Sequence, residues 1–153
     1  MGKINISRVI LGGIVAGIVF NILGYLVDGL MLAPQWAEGM KALGKAEFSV
    51  NQIVGFNIIG FANGIFAVWL YAAIRPRYGA GPGTAVFAGL MVWAIGVLLP
   101  DAIFMGIFGL FPSSLIAATT GASIVTSVVS TLAGAAIYKE ASAETPRSMA
   151  ARV

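Results

Sequence analysis

SRVILGGIVAGIVFNILGYLVDGLML, residues 7–32, carries only two charged side chains, those of Arg8 and Asp28. A bilayer core of about 30 Å needs roughly 20 apolar residues in a helix, and this stretch is long enough. Its basic start at Lys3 resembles a signal peptide, but the apolar run exceeds a typical signal region and no small-residue cleavage site follows soon after. The stretch therefore predicts a first membrane span that the protein retains.

Three further stretches have the same length and character, so that the predicted spans are residues 7–32, 50–74, 84–108 and 114–138. Ser49 followed by Gln52 is a capping-box pattern that opens the second span. Pro112 and Ser113 predict a tight turn and an N-cap for the fourth. The sequence thus predicts an all-α integral membrane bundle of four transmembrane helices in one domain, residues 1–138. A small, polar tail at 139–153 is predicted to be disordered.

The composition sets limits on the class and the chemistry of the protein. Hydrophobic residues make up 59% of the chain and charged residues 10%, with a mean hydropathy of +0.94, whereas about a quarter of a soluble domain is charged. Cysteine and histidine are absent from the sequence. Their absence excludes disulfides, thiolate nucleophiles, His-ligated haem, typical zinc sites and Ser-His-Asp catalysis. We therefore expect a membrane protein that is not an enzyme and needs no cofactor.

The distribution of basic residues predicts how the chain is threaded. Two of the nine, Lys41 and Lys45, lie between the first and second spans. The other seven fall on the opposite side of the membrane: Lys3, Arg8, Arg75, Arg77, Lys139, Arg147 and Arg152. Basic residues concentrate on the cytoplasmic side, so both termini are predicted to be cytoplasmic. The same rule explains the net charge of +3 better than nucleic-acid binding does, and the predicted partner is the lipid bilayer.

The connection between the first two spans, APQWAEGMKALG at residues 33–44, has a pattern of its own. Trp36, Met40 and Leu43 share one helical face, whereas Glu38 and Lys41 point elsewhere. Pro34 suits the first turn of a helix, and Gly44 suits a residue that ends one. The segment predicts a short amphipathic helix on the outer membrane surface. A plain polar loop is the alternative.

A pentapeptide occurs in closely similar form in two spans, as FNILG at residues 20–24 and FNIIG at 56–60. Each copy continues a helical stripe of small residues, and such stripes are the usual packing surfaces between membrane helices. The predicted packing residues are Gly13, Gly17, Gly24, Gly60 and Gly64. Counting along the two helices places Asn21 and Asn57 at similar depth, where the two side chains could face each other.

The aspartates are the residues that most suggest function, because a carboxylate inside a bilayer is costly. Asp28 lies near the outer end of its span, where solvation by water is the simpler interpretation. Asp101 follows Pro100, and either the third span ends at Leu99 or a proline break turns Asp101 inward. The candidate intramembrane polar cluster is Asn21, Tyr25, Asp28, Asn57 and Asp101, and the hydroxyls of Thr119 and Thr120 are further candidate partners.

Two stretches of the chain resemble a group of small four-span bacterial membrane proteins without an assigned activity. They are residues 69–93, WLYAAIRPRYGAGPGTAVFAGLMVW, and residues 35–44, QWAEGMKALG. The resemblance supports a four-span bacterial membrane protein, implies no activity and transfers no functional residue. The predicted location is the bacterial inner membrane. The predicted function is that of a non-enzymatic membrane protein that acts through helix packing, as a homo-oligomer or an accessory subunit of a larger complex. A small transporter or channel that uses the polar cluster is the alternative. An intramembrane enzyme that uses Asp28, Asp101 and Tyr25 is a third possibility.

Overall fold

The computed structural model describes residues 3–45 and 48–140, and all regular structure within them is helical. Five helices follow one another: α1, Ile6–Met31; α2, Ala33–Ala42; α3, Val50–Tyr78; α4, Pro82–Ile107; and α5, Ser113–Ile137. All but α2 are long and apolar enough to cross a membrane. This finding confirms the prediction of four such helices in an all-α fold. The predicted disordered tail lies outside the described residues from position 141 onward.

The helix starts follow local sequence signals, with one exception. Ser49 and Gln52 form the predicted capping box at α3: the backbone N–H of Ser49 donates to the Gln52 side chain at 2.9 Å. The expected N-cap at Ser113 is wrong, because α5 already includes Ser113 and the capping position belongs to Pro112. Proline fixes φ near −65° and has an extended ψ here, so it provides the non-helical residue that a helix start requires.

The four long helices pack in a closed ring in the order α1, α3, α4, α5. The contact between α1 and α3 is the most extensive, and α5 closes the ring by packing on both α1 and α4. We call the end that carries α2 the α2 end. The opposite end carries Lys3, Arg8, Arg75, Arg77 and Lys139, and we call it the basic end.

Large and small side chains are distributed in the opposite way to those of a soluble bundle. Ile14, Ile22 and Phe56 are exposed, whereas Ala16 and Ala88 are completely buried. Lipid chains are as apolar as leucine, so membrane helices gain no hydrophobic energy by burying large side chains and associate instead through close packing of small ones. The distribution is that of a bundle whose outer surface faces hydrocarbon.

The loop after α1 forms a helix, α2, whose contacts are directed at the rest of the bundle. Met40 is buried, and a Cβ at Gly39 would approach the ring of Phe111. Glu38 and Lys41 are exposed. Trp36 makes edge contacts with Phe48 and Phe111, at ring-centroid distances of 6.0 and 5.1 Å. The apolar face of α2 therefore covers the start of α5.

Helix α3 is packed along only part of its length. All of its buried residues lie between Gly60 and Ala72, whereas nearly all residues from Val50 to Ile59 are exposed. Helix α4 contacts α3 mainly through Pro82–Trp93. The α2 end of α3 consequently packs little against the other three helices.

Interactions at the basic end hold three helix termini together. The hydroxyl of Tyr138, after α5, accepts from the backbone N–H of Asn5 at 3.3 Å, and Asn5 in turn caps α1. Arg75 lies over the rings of Tyr71 and Tyr138 and pairs with Glu140, with Nε and Oε1 3.8 Å apart. The ends of α1, α3 and α5 are therefore fixed to one another.

Candidate functional site

Asp28 is half-buried and hydrogen-bonded rather than simply solvated. Its Oδ1 accepts from the hydroxyl of Thr119 at 2.6 Å and from Nε1 of Trp36 at 3.2 Å. It lies in Tyr25–Met31, where α1 widens into a π-helical segment. Such segments are rare and frequently occur at functional sites. Asp28 thereby connects α1 to both α5 and α2.

Asp101 lies inside a continuous helix, so the interpretation in which the third span ends at Leu99 is wrong. Helix α4 passes through Pro100 to Ile107, with π-helical segments at Ala94–Leu98 and Ala102–Ile107 on either side. Proline removes one backbone donor and its ring crowds the preceding turn, and wider turns are one way to accommodate it. Oδ2 of Asp101 accepts from the hydroxyl of Thr120 at 2.7 Å.

Two adjacent threonines of α5 therefore bind the two aspartates. Successive residues of an α-helix point about 100° apart, so Thr119 reaches α1 while Thr120 reaches α4. Both threonines are buried. The same turn is held by Trp93, whose Nε1 donates to the carbonyl of Thr120 at 2.9 Å and to the hydroxyl of Ser123 at 3.1 Å. The site is thus assembled from three membrane helices and α2.

The site consists of two carboxylates, the hydroxyls bonded to them and indole N–H donors. Neither aspartate has a salt bridge within the described residues. The described residues contain no group of three or more His, Cys, Asp or Glu side chains able to hold a metal ion. Two carboxylates bonded to hydroxyls can hold the helices together, and they can also accept a proton or a simple cation.

The predicted five-residue cluster separates into two groups in the structure. Nδ2 of Asn21 donates to the backbone carbonyl of Asn57 at 3.2 Å, so the repeated pentapeptides do meet. Neither asparagine is hydrogen-bonded to an aspartate within the described residues; Nδ2 of Asn57 donates to the carbonyl of Ile53 in its own helix at 2.8 Å. Tyr25 is 62% exposed. The two aspartates therefore form the site, and the asparagines form a separate helix contact.

Four of the five predicted packing glycines lie at the contact between α1 and α3. On α1, a Cβ added at Gly13 would collide with Ile65, and one at Gly17 with Phe61. On α3, a Cβ added at Gly60 would collide with the Asn21 side chain, and one at Gly64 with the backbone of α1. The expected contact at Gly24 is wrong, because a Cβ there would have no neighbour within 4 Å. The reason is that α3 has already separated from α1 at that level.

Two further residues near this region were not singled out from the sequence. Asn63 lies against Gly96 of α4, whose Cβ would be 3.2 Å from the Asn63 Oδ1. Trp93 holds the threonine turn. An amide in the middle of an apolar span was a usable signal for Asn63. Nothing in the local pattern indicated which carbonyl Trp93 would reach.

Comparisons with protein-family models, with curated proteins and with solved structures give no match for this chain. The chemistry and packing of the described residues are therefore the basis for assigning a function.

Proposed function

We propose that this chain is a non-enzymatic integral membrane protein of a bacterial inner membrane that acts through helix packing. The observation that carries the proposal is the reversed side-chain distribution: large apolar residues on the surface, and alanine, glycine, serine and threonine inside. The hydrogen bonds from Thr119 to Asp28 and from Thr120 to Asp101 act in this proposal as contacts that fix α1 and α4 on α5. Both termini face the cytoplasm, and α2 lies at the outer surface of the membrane.

The threading can be tested with single cysteines, because the sequence contains none. Lys45 and Lys139 are exposed at opposite ends of the bundle. In cells, Lys45→Cys is expected to react with a membrane-impermeant thiol reagent, and Lys139→Cys only after the membrane is opened. Labelling of both positions from the same side would contradict the proposed threading.

The exposed part of α3 supports assembly with a second copy of the chain. Asn57 presents its amide among exposed apolar neighbours, including Val54 and Ile58. Its Oδ1 accepts no hydrogen bond within the described residues. A polar side chain on a lipid-facing surface commonly marks a contact between membrane helices, where it bonds to a neighbouring helix. A second copy would offer Asn57 such a donor, and we therefore favour a homo-oligomer over an accessory subunit.

Asn57→Leu is expected to weaken self-association in liposomes. An interhelical hydrogen bond in a membrane contributes about 0.6–2 kcal/mol, so the association constant should fall by roughly 3- to 30-fold. Asn57→Gln, which keeps the amide, is the matched control and should retain most of the association. Energy transfer between labelled copies, measured over a range of protein-to-lipid ratios, gives the constant. A wild-type chain that stays monomeric at every ratio would contradict the homo-oligomer.

A small transporter or channel is the second candidate function, and one specific observation favours it. Asp28 and Asp101 come from different helices and meet adjacent hydroxyls of a third; Asp28 lies within a π-helical segment, and Asp101 directly precedes one. Ionisable groups inside a membrane commonly mark ion or proton pathways. Four helices make only a thin wall, so a pathway of this kind would need the oligomer. Its test is a pH-dependent flux that Asp101→Asn removes without unfolding the protein.

A further inference from the structure

An open, entirely apolar groove runs between α1 and α3 on the half of the bundle nearer the basic end. Its lining includes Ile6 and Ile10 of α1 and Ile65, Phe66 and Trp69 of α3. The groove has a volume of about 430 Å³, within the roughly 300–1,000 Å³ that is usual for ligand sites. We call it the α1/α3 groove. Within a membrane, its apolar lining suits a hydrocarbon chain.

The mouth of this groove at the basic end is positively charged. Gly13 meets Ile65 and Gly17 meets Phe61, so the two helices are antiparallel, and Lys3, which precedes α1, belongs to the same end of the bundle as Arg75 and Arg77. Arg77 is eleven residues beyond Phe66, about three helical turns, and therefore lies on the same face of α3. Both Lys3 and Arg77 are exposed. Arg77 thus continues the groove-lining face of α3 beyond Trp69, toward the membrane surface where an acyl chain would join its headgroup, and Lys3 is a second exposed cation at this end of the bundle.

The charges of Lys3 and Arg77 are not neutralised by the described part of the chain. The one described carboxylate at the basic end, that of Glu140, pairs with Arg75. Arg75 is nine residues from Phe66 and lies on the opposite face of α3, over Tyr71 and Tyr138. An apolar groove therefore lies next to a bundle end with two exposed cations, Lys3 and Arg77, that are unpaired within the described residues, and this combination is complementary to an anionic phospholipid.

We propose that the α1/α3 groove binds an anionic phospholipid, with one acyl chain along Ile10, Phe66 and Trp69 and the phosphate group at Lys3 and Arg77. Basic residues at a membrane surface attract anionic headgroups, and each raises the affinity by about fivefold. A zwitterionic lipid offers the same hydrocarbon without net charge. Headgroup charge, rather than the acyl chain, therefore sets the preference. This inference rests on the membrane location alone and is independent of oligomerisation or transport.

Trp69 provides the measurement, because it lines the groove and is 42% exposed. The full chain is placed in phosphatidylcholine vesicles that contain brominated phosphatidylglycerol or, separately, brominated phosphatidylcholine, since bromine atoms quench tryptophan fluorescence on contact. The signal of Trp69 is obtained by subtracting that of Trp69→Phe. We expect half-maximal quenching at a fraction of phosphatidylglycerol about 5- to 20-fold lower than for phosphatidylcholine.

Charge-removing variants locate the headgroup. Lys3→Gln and Arg77→Gln should each reduce the preference by up to about fivefold. Arg8→Gln is the matched control, because Arg8 lies on the opposite face of α1 from Ile6 and Ile10, and it should leave the preference unchanged. Equal quenching by the two lipids, or an effect of Arg8→Gln as large as the others, would overturn the proposal. Quenching by neither lipid would also overturn it, since another helix would then cover the groove.

Discussion

Gly64→Leu is expected to prevent α1 and α3 from forming their native contact, and Gly64→Ala to lower the free energy of unfolding by about 1–3 kcal/mol. A Cβ at Gly64 would meet the backbone nitrogen of Gly17 and, at 2.6 Å, the carbonyl oxygen of Gly13. Backbone atoms cannot rotate away as a side chain can, so the two helices would have to separate. This contact is the most extensive in the bundle, and leucine at this position should leave little folded protein.

Gly55→Ala is the matched control within the same helix. A Cβ at Gly55 would have no neighbour within 4 Å, and alanine favours a helix over glycine by up to about 1 kcal/mol. We therefore expect unchanged or slightly increased stability. Helicity followed by circular dichroism during SDS titration of detergent-solubilised protein measures both variants. Similar losses at positions 55 and 64 would mean that α3 does not approach α1 through Gly64.

Asp101→Leu is expected to destabilise the bundle by about 1–3 kcal/mol, because it removes the acceptor of the buried Thr120 hydroxyl. Thr120→Val, which removes the donor at nearly the same volume, should have an effect of similar size, since it leaves the carboxylate without its partner. The double variant should lose less than the sum of the two. The same SDS titration provides all three values. Strictly additive losses would show that the hydrogen bond between Asp101 and Thr120 contributes nothing to stability.

Asp101→Asn separates the structural role of this residue from a role in transport. An amide can accept the hydrogen bond of the Thr120 hydroxyl, but it cannot take up or release a proton as a carboxylate does. The variant should fold with nearly wild-type stability. If the site carries protons, the wild-type protein in liposomes should show a pH-dependent flux that is lost in Asp101→Asn. If Asp101→Asn folds and neither it nor the wild-type protein shows flux, the result supports the packing function. If Asp101→Leu also folded like the wild type without flux, the carboxylate would be only a solvated group.

Much of the fold could be predicted from the sequence because membrane spanning is a local property. The hydropathy of about 20 neighbouring residues decides whether a segment can cross a bilayer, so the four spans were predictable almost to their ends. The capping box at Ser49 and Gln52 was predictable for the same reason, since its partners are three residues apart. The glycines at positions 13, 17, 60 and 64 were recognisable as one face of each helix.

The tertiary structure alone decided which residues meet across the bundle. Gly24 and Gly60 occupy the same place in the two pentapeptides, yet only Gly60 lies at a helix contact, because α3 leaves α1 beyond that level. The sequence offered the asparagines, Tyr25 and the hydroxyls of Thr119 and Thr120 as partners for Asp101, and only the structure selects Thr120 for Asp101 and Thr119 for Asp28. Such pairings depend on the rotation, depth and divergence of whole helices. Those quantities result from all contacts together, and no local pattern in the sequence contains them.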